Sequence, residues 1–511
     1  MVATLPIPYH DYIFTPNVIL VVATFFSFLF SFAMGANDSA NSLGTAVGSK
    51  SISLRKALLI GGLFEGIGTV LLGAAVSDTI RKSIIDLDTT IEWRDFAAGM
   101  LCVLIGGFVF ILGATFLNLP VSTTHAVVSA TAGWSVVYKG DFSSLNMGKL
   151  GTIAASWVLS PVFGGLCAYL MYKVVEATSI KKDEPSQSTQ RMMPVYFGVT
   201  IFILSMFITV KAFPDEWNVS MLVATIMAVV ISIVSTVVFY FTAMKKYKHR
   251  YPKGCDEDFP LEEHMKPVEE ESEIEVELSE MEDAEEAETV EGEEKEEHKT
   301  RRRANSLLRD KDVLGYGSNS DSDSDSSDEE DDNLKVAAHA KFTPGQLMFI
   351  PLQVIASFAQ ALGHGANDAA NALAPLGAIV GVWQTESIEL ENAIPMWATL
   401  LTATGIIIGL LVLGHRVIGT IGEGIASVCP RSGFVASFAS TLMVLIGSAL
   451  GLPLSSSHIL TGSVVGVSIA KGVPVKWKLV GSIGISWIVT LPASAAATAG
   501  FYALIKLGQS S

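Results

Sequence analysis

The sequence predicts an all-α, polytopic membrane protein built from two related halves, and three observations lead there. Half of the 511 residues are hydrophobic and only 17% carry charge, where a soluble chain carries about a quarter. The charge is also crowded. Residues 254–335 hold 32 Asp and Glu against 9 Lys and Arg, so the remainder is faintly basic although the whole chain carries −17. Third, polar motifs in the first 160 residues return in the same order some 330 positions later. This balance excludes a soluble enzyme and a nucleic-acid binder, which needs a basic face.

Stretches of about 20 mostly apolar residues cross a hydrocarbon core of about 30 Å. They run at roughly 17–36, 56–77, 96–117, 148–173, 194–213, 219–243, 346–363, 396–414, 433–451 and 478–506. No Lys or Arg precedes the first of them, so it reads as a retained span, not a cleaved signal. Four shorter pieces, at 37–49, 120–138, 366–382 and 454–470, are rich in Gly, Ser and Thr. Irregular backbone cannot face lipid, so these must lie inside the bundle as discontinuous helices or re-entrant hairpins. The total is about 10–12 crossings. The domains follow as repeat 1 (15–180), an extra hairpin (191–245), an acidic loop (246–342) and repeat 2 (343–508).

Basic residues near helix ends set the orientation. Lys181, Lys182 and Arg191 precede one span, and Lys245, Lys246, Lys248, Arg250 and Lys253 follow the next. Both ends read as cytoplasmic, which places the turn at Pro214–Asn218 outside; its Asn218 sequon sits close to a helix start. The acidic loop then lies in the cytoplasm. Runs such as Glu269–Glu273 and Ser320–Asp332 bury too little apolar surface to offset ordering entropy, so the loop reads as disordered. Arg301–Ser306 and the Ser/Asp run at 320–328 look like kinase targets, and a plain solvated tether reads equally well. Cys102, Cys167, Cys255 and Cys429 show no metal spacing and read as small buried hydrophobes plus one loop thiol.

The repeat carries the chemistry. Gly35-Ala36-Asn37-Asp38-Ser39-Ala40-Asn41 returns as Gly365-Ala366-Asn367-Asp368-Ala369-Ala370-Asn371. Pro120-Val121-Ser122-Thr123-Thr124-His125 returns as Pro453-Leu454-Ser455-Ser456-Ser457-His458, and Ser156-Trp157 returns as Ser486-Trp487. If each copy crosses an odd number of times, the copies are inverted, the plan of many secondary transporters. An Asp within a span costs roughly 2.5–3.5 kcal/mol on insertion, and Asp38 and Asp368 both impose that cost beside carboxamides. Carboxylate and amide oxygens are hard ligands, so Asn37, Asp38, Asn367 and Asp368 are candidate cation ligands; interhelical bridging by Asn is the bland alternative.

The proline of each second motif ends a helix, and the hydroxyls suit the cap and first turn of the next. Such a helix start gathers N–H groups, hydroxyls and a positive dipole end, an anion site. Ser122, Thr123, Thr124, Ser455, Ser456 and Ser457 are therefore candidate ligands of a tetrahedral oxyanion, with Asn41 and Asn371 left to the family resemblance below. No Lys or Arg occurs within 31–49, 119–135, 360–382 or 452–470, so an anion there needs bound cations, which argues for cation–anion symport. His125, His458 and Glu65, the one acid in its span, are candidate coupling residues. The counterpart of Glu65 in the second half is apolar, around Thr404–Ile406. Gly44–Ser51 nearly matches a nucleotide-binding loop, but an extra Ser separates Gly48 from Lys50 and no strand precedes it.

These motifs resemble the inorganic phosphate transporter family, the type III sodium–phosphate cotransporters. Gly35–Gly44, His364–Pro375, Pro120–His125 and Pro453–His458 carry the resemblance, which spans about 15–245 and 343–508. It implies about 12 helices, extracellular termini, inverted repeats, a homodimer, and phosphate uptake with sodium or protons, without a cofactor. Positions 37, 38, 41, 367, 368 and 371 would form the cation and phosphate centre, 122–124 and 455–457 would hold phosphate, and Glu65 would be an important acid. Ser39, Ala369 and Ser457 depart from the family's usual residues while leaving donor chemistry intact. A second family acid has no clear equivalent, Glu423 being nearest. The resulting expectation is a sodium-coupled phosphate symporter of the plasma membrane, with a proton-coupled symporter and a phosphate transceptor or receptor as alternatives. Kinases acting on the loop are further expected partners, nucleic acid is not, and stoichiometry and discrimination against arsenate or sulfate are not readable.

Overall fold

The structure, a computed structural model, describes residues 15–83, 91–143, 145–211, 220–250, 342–388, 392–422, 424–449 and 454–509. Residues 251–341 of the acidic loop, Cys255 among them, the Pro214–Asn218 turn, Glu423 and Pro453 lie outside the described residues, while 246–250 continue the preceding helix. Among the described residues every element is a helix, and ten helical runs are long and apolar enough to cross a membrane.

In the first half, α1 (Pro16–Met34) passes through a five-residue π-helical turn, Gly35–Ser39, into α2 (Ala40–Gly48). There follow α3 (Leu54–Ser83), α4 (Trp93–Phe116), α5 (Thr123–Lys139) and α6 (Met147–Val175). The hairpin is α7 (Pro185–Lys211) and α8 (Met221–Arg250). A short α9 (Pro344–Leu347) leads into α10 (Ile350–Thr385), α11 (Met396–Leu413), α12 (His415–Gly422), α13 (Pro430–Ala449), α14 (Ser456–Lys471) and α15 (Trp477–Gln509).

The breaks fall at one motif and not the other. The pieces 37–49 and 366–382 are not separate; each continues the helix before it. No proline lies between residues 17 and 48, and the Ala- and Gly-rich signature packs closely enough to stay helical while buried. The second motif does interrupt. After α4 the chain is extended at Ser122, whose side chain accepts from His125 N (3.3 Å), and α5 starts at Thr123. Ser455 caps α14 identically, accepting from His458 N (3.4 Å). Both hydroxyl runs thus form the cap and first turn of a new helix.

The bundle has two distinguishable ends. At the terminal end lie the start of α1 and the end of α15. There Trp383, late in α10, donates to Asn17 Oδ1 (2.9 Å), and Lys506 of α15 lies 5.2 Å from the Tyr138 ring of α5. At the loop end lie the end of α8 and the start of α9, flanking residues 251–341. There Thr45 of α2 meets Ser437 of α13 (2.7 Å) and accepts from Gln353 of α10 (3.0 Å). Lys173 of α6 donates there to the carbonyl of Ala470, late in α14 (2.9 Å). Consequently α4 enters from the terminal end and α5 returns to it, whereas α13 and α14 make the same excursion from the loop end.

The halves exchange packing partners: α5 lies along α15 and α14 along α6. Small residues allow the second contact. A Cβ on Gly462 would collide with the Pro161 carbonyl, and one on Gly466 with that of Gly165, the close backbone approach that membrane helices use in place of a hydrophobic drive. Gly466→Val is expected to cost about 1–3 kcal/mol or more through overpacking. Thermal unfolding in detergent should show this drop, while Gly500→Val, which meets open space, should leave the transition unchanged. One apolar cluster gathers α1, α4, α5 and α15 around Phe30, Leu104 and Trp134. Another gathers α6, α10, α13 and α14 around Phe349 and Phe434. Residues 364–368 of α10 lie between them.

Candidate functional site

The two signature stretches meet in the buried middle of the bundle. Asp38, in the π-helical turn, is 1% exposed, and its Oδ2 accepts from Thr123 Oγ1 (2.9 Å). Asp368 is equally buried, and its Oδ2 accepts from Ser456 Oγ (3.0 Å). Each aspartate therefore takes the first helical hydroxyl of its own half's interrupted segment. Between halves, Asn371 Nδ2 donates to Thr123 Oγ1 (3.0 Å) and Thr124 Oγ1 (3.4 Å). Ser122, Ser455 and Ser457 are buried around the same turns, Ser455 and Ser457 within hydrogen-bond distance of each other (3.2 Å).

One residue that reasoning from the repeat missed ties the centre together. His364 Nε2 lies 2.7 Å from Asp368 Oδ2 and 3.7 Å from Asp38 Oδ1. Its Nδ1 pairs with Glu65 Oε2 at 3.0 Å, and Ser42 Oγ donates to Glu65 Oε1 (3.3 Å). The imidazole thus contacts three carboxylates. Gly365 makes room for this: a Cβ there would collide with the Glu65 carbonyl. In the other half, Gly35 packs in the same way on Ile406, and Met34 stands where His364 stands. The acid–imidazole pair therefore has an apolar counterpart, which is why a search for repeated polar residues passes over it. The available signal was His364 four residues before Asp368, on one helical face.

The Asn residues divide by what their oxygens do. Asn37 donates to Leu119 O (2.9 Å) and Thr115 Oγ1 (3.1 Å), and its Oδ1 accepts from Val121 N (3.0 Å), so it pins the α4–α5 break. Asn367 donates to Leu454 O (3.1 Å) and to Asp368 Oδ1 (2.7 Å), and its Oδ1 accepts from Ser448 (3.3 Å). By contrast, Asn41 Oδ1 and Asn371 Oδ1 are buried without a partner, while Asn41 Nδ2 donates to Asp38 Oδ1 (3.2 Å). At this centre the side-chain oxygens without a partner thus belong to Asn41 and Asn371, while each aspartate oxygen already accepts at least one bond.

His125 and His458 stand apart from the carboxylates. Their rings meet edge to face at 4.5 Å, each against a tryptophan of its own half: His125 on Trp157 (3.9 Å) and His458 on Trp487 (3.6 Å). His458 Nδ1 donates to Trp157 O (3.0 Å) and His125 Nδ1 to Trp487 O (3.4 Å), since a carbonyl can only accept.

Three carboxylates and one imidazole, all buried, with no Lys or Arg in the flanking segments, leave negative charge that burial makes costly. Asp38, His364 and Asp368 each offer an atom within 4.8 Å of the others. Hard oxygens in this arrangement suit small hard cations.

The model of the phosphate transporter family matches residues 34–498, and the chain belongs to that family, whose members are transporters, not enzymes. A protein of Pyrococcus abyssi named "Putative phosphate permease" is 29% identical over 463 residues, covering 90% of this chain and 92% of its own. One of the same name from Mycobacterium tuberculosis is 30% identical over 506 residues, covering 96% and 87%. A solved structure described as the sodium-dependent phosphate transporter superposes with a TM-score of 0.72 at 28% identity, covering 96% of this chain and 99% of that one.

Proposed function

We propose that this member of the phosphate transporter family is a secondary active symporter, importing inorganic phosphate with sodium by alternating access. The observation that carries it is the meeting of Asp38 and Asp368 with the starts of α5 and α14, where a hydroxyl of each turn bonds an aspartate. Sodium ions beside Asp38 and Asp368, with the open oxygens of Asn41 and Asn371, neutralise the centre. The hydroxyls of Ser122–Thr124 and Ser455–Ser457 then turn from the carboxylates to the phosphate oxygens. Asn37 and Asn367 hold the breaks in place. The energetics favour co-transported cations, because a divalent phosphate entering a negative cell opposes roughly 2.3 kcal/mol per charge per 100 mV.

The opposed excursions of α4–α5 and α13–α14 support an inverted repeat, with the two halves moving about the shared centre. In this reading the loop end faces the cytoplasm of a plasma-membrane protein and the termini face outward. A homodimer and phosphorylation of the loop complete the proposal. The His364 contacts favour one variant in which a proton replaces a sodium ion, the imidazole and Glu65 being suited to carry it.

Radiolabelled phosphate uptake into vesicles under separately imposed gradients decides between the drivers. Sodium coupling predicts accumulation with a sodium gradient at equal pH. Accumulation that ignores sodium and follows the pH gradient selects the proton variant, and accumulation with neither removes both.

A further inference from the structure

Behind the two hydroxyl turns, each tryptophan of the repeated Ser-Trp pair serves both halves at once. Trp157 of α6 packs its ring against His125 of its own half, and its carbonyl accepts from His458 Nδ1 of the other at 3.0 Å. Trp487 of α15 does the reverse: its ring packs on His458, and its carbonyl accepts from His125 Nδ1 at 3.4 Å. Between them the two imidazoles touch each other. Both histidines are buried, and Nε2 of each is buried without a partner. Among the described residues, the bond that crosses to the other half is therefore the one hydrogen bond each imidazole makes.

A proline accounts for the shorter of the two bonds. In an unbroken helix the carbonyl of residue 157 accepts from the N–H of residue 161, but that residue is Pro161, inside α6, and it has no N–H to give. The Trp157 carbonyl is left for His458. In α15 the proline comes one place later, at Pro492, so Leu491 still has an N–H for the Trp487 carbonyl, which His125 must share.

Both histidines also belong to the hydroxyl turns. His125 follows Thr124 and its backbone N–H is held by the Ser122 hydroxyl; His458 follows Ser457 and is held in the same way by Ser455. A ring that shifts carries its turn with it. We propose that His125 and His458 are positioning residues for the oxyanion: by bonding to the opposite half, they set the two hydroxyl turns at the spacing that one tetrahedral ligand requires. They act through the hydroxyls and do not touch the ligand. The inference deepens the symporter reading and rests on its assignment of these turns to phosphate.

The test separates the bond from the ring. His458→Phe keeps an aromatic ring against Trp487 and loses the donor, whereas His458→Asn loses the ring and places an amide N–H where Nδ1 stands. Equilibrium dialysis of the purified full chain against radiolabelled inorganic phosphate in saturating sodium gives the affinity, and thermal unfolding in detergent reports the fold. His458→Phe should weaken phosphate binding roughly tenfold, since it leaves a buried carbonyl unpaired, and His458→Asn should restore most of that loss. The same two substitutions at His125, whose bond is longer, should repeat the pattern with roughly a threefold loss, and they carry the comparison if His458→Phe does not fold. Equal weakening by Phe and Asn would overturn the inference, because the imidazole would then be needed for itself. So would an unchanged affinity in a His458→Phe protein that merely melts earlier, which is the result expected of a packing residue. Those outcomes leave phosphate bound to wild type and the symporter reading intact; a wild type that binds no phosphate would sink both.

Discussion

Phosphate uptake is expected to fall to background in Asp38→Asn and in Asp368→Asn, with both proteins still folded in the membrane. Asparagine keeps the shape and still accepts from Thr123 or Ser456, the contacts that place each aspartate. What it removes is one of the charges that would hold a cation. Without that cation nothing neutralises the phosphate, because no Lys or Arg occurs within residues 31–49, 119–135, 360–382 or 452–470. Losing a charged ligand in a buried site costs roughly 3–5 kcal/mol, so uptake should drop by at least about a hundredfold. Proteoliposome uptake with a size-exclusion check on folding measures it, and normal sodium-dependent transport by either variant would place the cations elsewhere.

A second large effect is expected at a residue the repeat itself does not mark. His364→Met copies into the second half what Met34 is in the first. It strips Glu65 and Asp368 of the imidazole 3.0 and 2.7 Å away, leaving buried carboxylates uncompensated at a cost of roughly 3–5 kcal/mol. Both the melting temperature and transport should fall steeply. Adding Glu65→Ile recreates the apolar pair found at Met34 and Ile406, which are buried in one cluster. That double variant should recover most of the melting temperature while remaining inactive. Recovery of uptake would mean that the pair serves stability alone, and an unchanged melt in the single variant would mean that it carries no energy.

Much of this was legible in the sequence, because duplication makes weak signals mutually supporting. Asp38 and Asp368 announced themselves as charges that a bilayer penalises, and the Ser/Thr runs after Pro120 and Pro453 announced helix starts. The helix continuity through Gly35–Ser39 and at residues 363–366 was not legible, since Gly-rich polar stretches are consistent with either a break or close packing. Tertiary burial settled it. The division of labour among the four Asn residues was also hidden, because it depends on which backbone groups the chain breaks leave in reach. His364 escaped for the opposite reason: its importance lies in an asymmetry, and symmetry was the guide.

The exchange of partners between halves bears on how the chain is made. When α5 emerges during synthesis, α15, the helix it packs along, lies more than 330 residues away and is not yet translated. The early hairpin must wait in the bilayer with the face of α5 that α15 covers still bare, and with His125 lacking the Trp487 carbonyl, until the last helix inserts. Maturation is therefore gated by completion of the C-terminal segment, and a nascent chain stopped short of Trp477 is a natural substrate for membrane quality control.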